Sequence, residues 1–157
     1  MADVKPQIKQ LNDTRENRKI FRYFDAKLGD WEKVLDPTLI KPKLTYNNIP
    51  KVLQSTDCRV LVAYVGTRTA GYIVGKLLKS AKWYGGRKYG YIECLYVEEE
   101  FRNRGLAHAL FSNLHVWFEN KKIKKIKLRV FANNDKAIER YEQWGFKTKV
   151  IEMVLEK

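Results

Sequence analysis

Residues 58 to 65, CRVLVAYV, are almost continuously apolar, and AGYIVGKLLK (70–79) and GYIECLYV (90–97) repeat that texture. Short apolar runs rich in β-branched and aromatic residues and bounded by glycine predict strands. GTRT predicts a tight hairpin turn between the first two, and WYGGRKYG predicts the loop before the third. Elsewhere the period is helical. Ile20, Phe21, Phe24 and Leu28 share one side of a helix that Asn12 or Asp13 would cap and Gly29 would end. Leu106, Leu110, Leu114, Trp117 and Phe118 form the apolar stripe of a second, starting after Gly105. Ala137, Ile138, Tyr141 and Trp144 line a third, opened by a capping asparagine and stopped at Gly145. YNNIPKVLQS (46–55) predicts a short helix. VKPQIKQL (4–11), KIKLRVF (125–131) and KTKVIEMVLEK (147–157) predict a first strand and two last ones. Residues 30–44, with two prolines, fit no period. The order of elements is that of an α+β or α/β domain, one mixed sheet with helices on its faces. The length of 157 residues suits a single domain, 1–157.

Composition narrows the setting. Apolar residues make up 45%, yet no stretch approaches the roughly 18 that a membrane span needs. The N-terminus MADVKPQIKQ lacks the apolar core of a secretory signal. Cys58 and Cys94 each lie inside an apolar run, which reads as buried thiols better than as a disulfide or metal site. The expectation is a cytoplasmic protein with no metal and no membrane partner. The net charge of +13 favours anionic partners: nucleic acid, a phosphate-bearing cofactor or an acidic protein. Six cations fall in KKIKKIKLR (121–129), but removing them would still leave +7, so the basicity is spread. That run reads as a solvated loop and strand edge, or as an attractor for a phosphate of a cofactor or for an acidic partner.

The stretch FRNRGLAHAL (101–110) carries the first chemical signal. A helix start leaves backbone N–H groups unpartnered and partly positive, and phosphates bind there. Asn103, Arg104, Gly105, Leu106, Ala107 and His108 would supply those groups, and Arg102 or Arg104 would add charge-assisted contacts. The plain alternative is a turn in which Gly105 only supplies an unusual backbone angle. No G-x-x-x-x-G-K loop and no three-glycine dinucleotide fingerprint is present.

The strand, the R-x-x-G-x-A turn, the next strand and N-x-x-A-x-x-x-Y-x-x-x-G-F (Asn134 to Phe146) together resemble the GCN5-related N-acetyltransferase (GNAT) family. The resemblance is strong from about Tyr89 to Phe146; the N-terminal half fits only in its order of elements. It implies an acyl-CoA N-acyltransferase fold, a mixed and mostly antiparallel sheet flanked by helices. It implies acetyl-CoA as cosubstrate, with its pyrophosphate on the 103–108 turn and its pantetheine along Leu95, Tyr96 and Val97 as an extra strand would lie. The chain departs from the family at Asn103 and Ala107, where many members carry glycine, and after Gly145–Phe146, where members usually add a strand hairpin.

Acetyl transfer needs a neutral amine held against the thioester and a proton for the leaving thiolate. Glu93 is a carboxylate in the middle of an apolar strand and could take the amine's proton directly or through water. It could equally be an acid paired with an arginine or lysine, or one at an exposed position. Some family members, notably polyamine acetyltransferases, use an acid at this place. Tyr141 alone reads as a core tyrosine; the resemblance makes it the acid that protonates the CoA thiolate. Asn134 would touch the pantetheine and can also cap its helix. Cys94 would point away from Glu93, and His108 and His115 have no metal-ligand company. A different class of protein, a basic RNA- or ribosome-associated module with the same fold and no transferase activity, is suggested by +13 and by the chain's four Trp, nine Tyr and seven Phe. The acceptor reads as a primary amine of a small molecule or peptide, framed by residues 29–50 and the WYGGRKYG loop. Homodimers are a family expectation.

Overall fold

The computed structural model describes residues 5–39 and 46–156 of the 157. Five strands form one sheet in the order β1-β2-β3-β4-β5: β1 (Gln7–Gln10), β2 (Cys58–Val65), β3 (Arg68–Lys79), β4 (Lys88–Val97) and β5 (Ile126–Leu128). The first four pair antiparallel, and β5 joins β4 in parallel. Val65 faces Arg68 across a two-residue turn, the hairpin read from GTRT. Helices α1 (Arg15–Leu35) and α2 (Ile49–Gln54) cover one face, and α3 (Leu106–Asn120) covers the other. Because β2, β3 and β4 are apolar on both sides, each face has its own core. Phe21 and Phe24 of α1 meet Tyr72, Val74 and Cys94. Leu110, Leu114 and Phe118 of α3 meet Leu61, Ile73 and Ile92. The fourth helix, α4 (Asp135–Gln143), docks through aromatics: Trp144 just beyond it stacks on Phe111 of α3, centroids 4.6 Å apart and nearly coplanar. Among the described residues no helix is long and apolar enough to cross a membrane.

Several elements differ from the sequence reading. Thr14, rather than Asn12 or Asp13, caps α1, its hydroxyl accepting from the Asn17 amide at 3.1 Å. The helix does not stop at Gly29. Trp31 and Leu35 continue the stripe of Phe24 and Leu28, and Asp36–Pro37 supplies the real stop. α2 is shorter than 46–55, and β3 and β4 each begin two residues earlier than read. Strand pairing covers only 126–128 of the 125–131 run. The last strand, 147–157, does not form among the described residues. Its apolar residues fall on both faces, so no one-sided core can cover them: Val150 is 83% exposed, Ile151 77%, Met153 89%, Val154 77% and Leu155 85%. An Arg129–Glu152 ion pair of 2.8 Å tethers this segment near the end of β5. Residues 40–45, part of the stretch expected to frame the acceptor side, lie outside the described residues.

Gly71 shows how tightly the central strands pack. A Cβ there would sit 2.6 Å from the Tyr96 carbonyl oxygen, a backbone atom that no rotamer can move. Gly71→Ala is expected to cost about 2–3 kcal/mol, read as a lower urea midpoint at unchanged m-value.

Candidate active site

The site begins with a mismatch between strands. Parallel pairing of β4 and β5 holds for Gly90–Ile92 against Ile126–Leu128 and then ends. In β4 the register against β3 jumps, with Val74 facing Cys94 but Gly75 facing Ile92, so Glu93 is the extra residue of a bulge. A bulge bends its strand and re-aims its side chains. Past it the two strands separate and leave a wedge between β4, the end of β5, α4 and the N-terminus of α3. The wedge is a cleft of about 880 Å³.

Glu93, Leu95, Tyr96, Val97, Arg102, Asn103, Gly105, Leu106, Ala107, His108, Asn134 and Tyr141 all line this one cleft. Arg104 alone among the candidate residues does not; its guanidinium turns back over the Phe101 ring at 5.9 Å. Arg102 reaches the cleft wall but its side chain is already engaged. Its Nε–H donates to the Val97 carbonyl at 2.9 Å, and the guanidinium lies 5.3 Å from the Trp31 ring centre and 5.6 Å from that of Tyr96. The arginine therefore clamps α1, β4 and the turn together.

The turn itself is built for exposed amides. Asn103 has φ 60° and Gly105 φ 74°, both left-handed. Asparagine is among the few residues with a side chain that tolerate this region, which explains how Asn103 stands where glycine is usual. Left-handed residues in a tight turn can aim neighbouring N–H groups toward one side. Gly105 occupies the N-cap position of α3, and no side chain caps that helix. A Cβ at Gly105 would meet nothing within 4 Å, so glycine is needed there for its angle, as the plain reading held; the open space beside it is the cleft. Arg129, Lys136 and Arg140 add positive charge to the walls, which sequence reasoning missed. Their signal was available in the i, i+4 pair Lys136 and Arg140 beside Tyr141.

On the opposite wall, Glu93 is held by two partners the sequence could not assign. Lys76 Nζ lies 2.5 Å from its Oε2, with both side chains about a quarter exposed. The Tyr46 hydroxyl donates to the same oxygen. Both the ion-pair alternative and the cleft position thus hold together. Cys94 does not point away from Glu93 as expected: Tyr46 Oη also lies 3.9 Å from Cys94 Sγ, because the bulge brings neighbouring side chains to one group. Burial pushes the Cys94 thiol well above its ordinary range, which leaves it un-ionised and a poor nucleophile. Tyr141 is pushed up to about 12, mainly by burial, against an opposing pull from Arg140. It is therefore a phenol, with its proton in place, at any working pH. Its ring meets Trp144 and Phe146 edge-on at 5.6 and 5.8 Å, which fixes its direction into the wedge. Asn134 precedes α4 but its side chain makes no cap bond; its carbonyl accepts from Ala137 and Ile138 instead. The amide side chain lies on the cleft wall. From α1, Trp31, Glu32 and Leu35 also line the cleft, residues that a helix ending at Leu28 would have omitted. None of residues 80–91 lines it.

Comparison with known proteins gives the class to which this divided sheet belongs. The chain superimposes on a tetramutant of the BH1408 protein from Bacillus halodurans with TM-score 0.82, at 20% identity over 96% of this chain and 99% of that one. The aminoglycoside N-acetyltransferase AAC(6′)-Iy, in complex with CoA, matches with TM-score 0.74 at 17% identity over 98% and 95%. A ribosomal-protein-alanine N-acetyltransferase from Brucella melitensis biovar Abortus 2308 matches with TM-score 0.66 at 19% identity over 98% and 100%. At these identities the likeness is one of fold. No curated protein sequence matches the chain significantly. The acetyltransferase (GNAT) family model matches residues 23–146, most of the chain. The protein belongs to the GNAT acetyltransferase family.

Proposed function

We propose that the protein transfers the acetyl group of acetyl-CoA to a primary amine of a small molecule or peptide by direct attack in a ternary complex. The convergence of the turn amides, the freed β4 edge, Glu93, Asn134 and Tyr141 on one cleft carries this reading. The residues present suit the cosubstrate. The 103–108 amides would receive its pyrophosphate, the β4 edge at Leu95–Val97 and the Asn134 amide its pantetheine. Arg129, Lys136 and Arg140 would offset its charge.

Each chemical step has a group in place. Glu93 accepts the amine's proton, directly or through one water, while the amine nitrogen bonds to the thioester carbon and the carbon–sulfur bond breaks. Tyr141 gives its phenolic proton to the departing thiolate, and solvent restores both groups. Lys76 and Tyr46 act as positioning residues for Glu93.

Calorimetry with acetyl-CoA tests the first half. A dissociation constant between about 1 μM and 1 mM is expected. The second half is read by thiol release with an amine panel. That panel should contain an aminoglycoside and an alanine-initiated peptide, the acceptors that the names of AAC(6′)-Iy and the Brucella enzyme suggest. Absence of heat at millimolar acetyl-CoA would remove the proposal.

A homodimer is also part of this reading. Antiparallel self-pairing of the exposed C-terminal segment, centred between Glu152 and Met153, sets Lys149 opposite Glu156, Val150 opposite Leu155 and Ile151 opposite Val154. Such a twofold arrangement is self-complementary in charge and covers apolar surface from both copies. Light scattering after size exclusion should give twice the 18.6 kDa chain mass, and Ile151→Lys/Val154→Lys should give the single chain. A wild-type monomer at high concentration would refute the pairing.

A further inference from the structure

The end of the sheet opposite the acetyl-transfer cleft carries features that the proposed reaction does not use. The β3–β4 connection holds a one-turn 3₁₀ helix, Lys82–Tyr84, followed by Gly85 and Gly86 at φ 83° and 58°. It presents Trp83 at 84% and Tyr84 at 75% exposure. Burial is the rule for such large rings, so two adjacent ones in solvent are an anomaly. Around them stand Lys79, Lys82, Arg87 and Lys88, all exposed.

Strand pairing brings a second set of charges to the same place. Gly90 faces Ile126 in the β4–β5 ladder, and its amide donates to the Lys125 carbonyl at 2.9 Å. The five lysines of the 121–127 run therefore sit beside the start of β4, next to the aromatic tip. Lys127 Nζ lies 4.2 Å from the Tyr89 ring centre, on the same end. No acid occurs in residues 77–92 or 120–134; the acids that flank these stretches are Glu93, Glu119 and Asp135. Among the described residues none of these nine cations forms an ion pair.

These charges lie far from the turn proposed for the CoA pyrophosphate. The pyrophosphate turn precedes α3 and the lysine run follows it. Fifteen residues of helix at about 1.5 Å each put roughly 22 Å between them. The expectation that the WYGGRKYG loop (83–90) frames the acceptor side also finds no support, since no residue from 80 to 91 lines the cleft.

We propose that this end of the sheet binds single-stranded nucleic acid, with bases stacked on Trp83 and Tyr84 and the backbone phosphates on the lysines of 121–127. Stacking faces beside clustered cations suit a flexible strand whose bases are unpaired. An anionic membrane would also draw the charge. However, the tip offers no aliphatic side chain beyond Leu78 at 36% exposure, and no amphipathic helix to insert. Single-stranded recognition is favoured for that reason, and RNA and DNA share the chemistry invoked.

Fluorescence anisotropy with labelled oligo-U and oligo-dT of about a dozen nucleotides, without acetyl-CoA, reads the site separately from acetyl transfer. Loss of transferase activity would thus leave this result standing, and the reverse. Affinity should fall about a hundredfold between about 50 and 200 mM salt, as expected for about five phosphate contacts. Trp83→Ala/Tyr84→Ala should weaken binding about tenfold with the salt slope kept, whereas Lys124→Glu/Lys125→Glu should flatten the slope. Lys19→Glu/Arg22→Glu, the same charge change on α1, should leave affinity within about twofold. Preference of one oligonucleotide over the other tells RNA from DNA. Equal losses from the α1 pair, an unchanged affinity on removing both rings, or binding to phosphatidylglycerol vesicles without binding to either oligonucleotide would overturn the assignment.

Discussion

Tyr141→Phe will lower kcat by about 100- to 1,000-fold while leaving the affinity for CoA within about twofold. The substitution removes one oxygen and keeps the ring. The edge-on contacts with Trp144 and Phe146 survive it, so the fold and the cleft wall stay in place. What is lost is the only phenol that, among the described residues, the cleft presents from the α4 side. Its high proton affinity sets the pH behaviour. With a folded value near 12 against an ordinary value near 10, the group keeps its proton through the usual assay range, and wild-type turnover should show no alkaline loss from Tyr141 below about pH 10. The same shift fixes a sign for stability. Its contribution is complete below pH 10 and disappears as pH rises through 12, so Tyr141→Phe should unfold less steeply with alkali than the wild type. Single-turnover kinetics with saturating CoA donor check the first claim, and a variant as fast as the wild type would discharge Tyr141 from the role of acid.

Glu93→Gln will reduce kcat by about 10- to 100-fold. Here the structure forces a control. The carboxylate is also the anion beside Lys76 and the acceptor for Tyr46, so its removal leaves an ammonium without its partner. A purely structural acid would show the same loss of activity through instability. Lys76→Met/Glu93→Gln separates the two, because deleting both charges relieves the unpaired cation. If Glu93 is the base, melting temperature recovers and turnover does not. Recovery of both together would make the residue structural.

Much of this arrangement was legible in the chain because it rests on local rules. β2 coincides with its apolar run, α3 begins after Gly105, and the two motif segments meet at one cleft. The parts that were not legible depend on register. Glu93 and Cys94 alternate in sequence, but an extra residue in β4 cancels the alternation and hands both to Tyr46. Lys76 is one cation among 31 Lys+Arg until the ladder places it beside Glu93. Gly29 looked like a stop because glycine weakens helices, yet Trp31 and Leu35 add enough burial to carry α1 through it and into the cleft. The terminal segment had strand-like residues without a surface to pair with, and propensity alone does not make a strand.

The parting of β4 from β5 reaches beyond catalysis. Below Ile92 the two strands hold each other; above it their backbones and the lightly buried α4 lack that mutual support. A cosubstrate bound in the gap as proposed would be a temporary stave in the sheet, bracing both sides at once. Substrate supply and resistance to heat or proteolysis would then be two readings of a single occupancy.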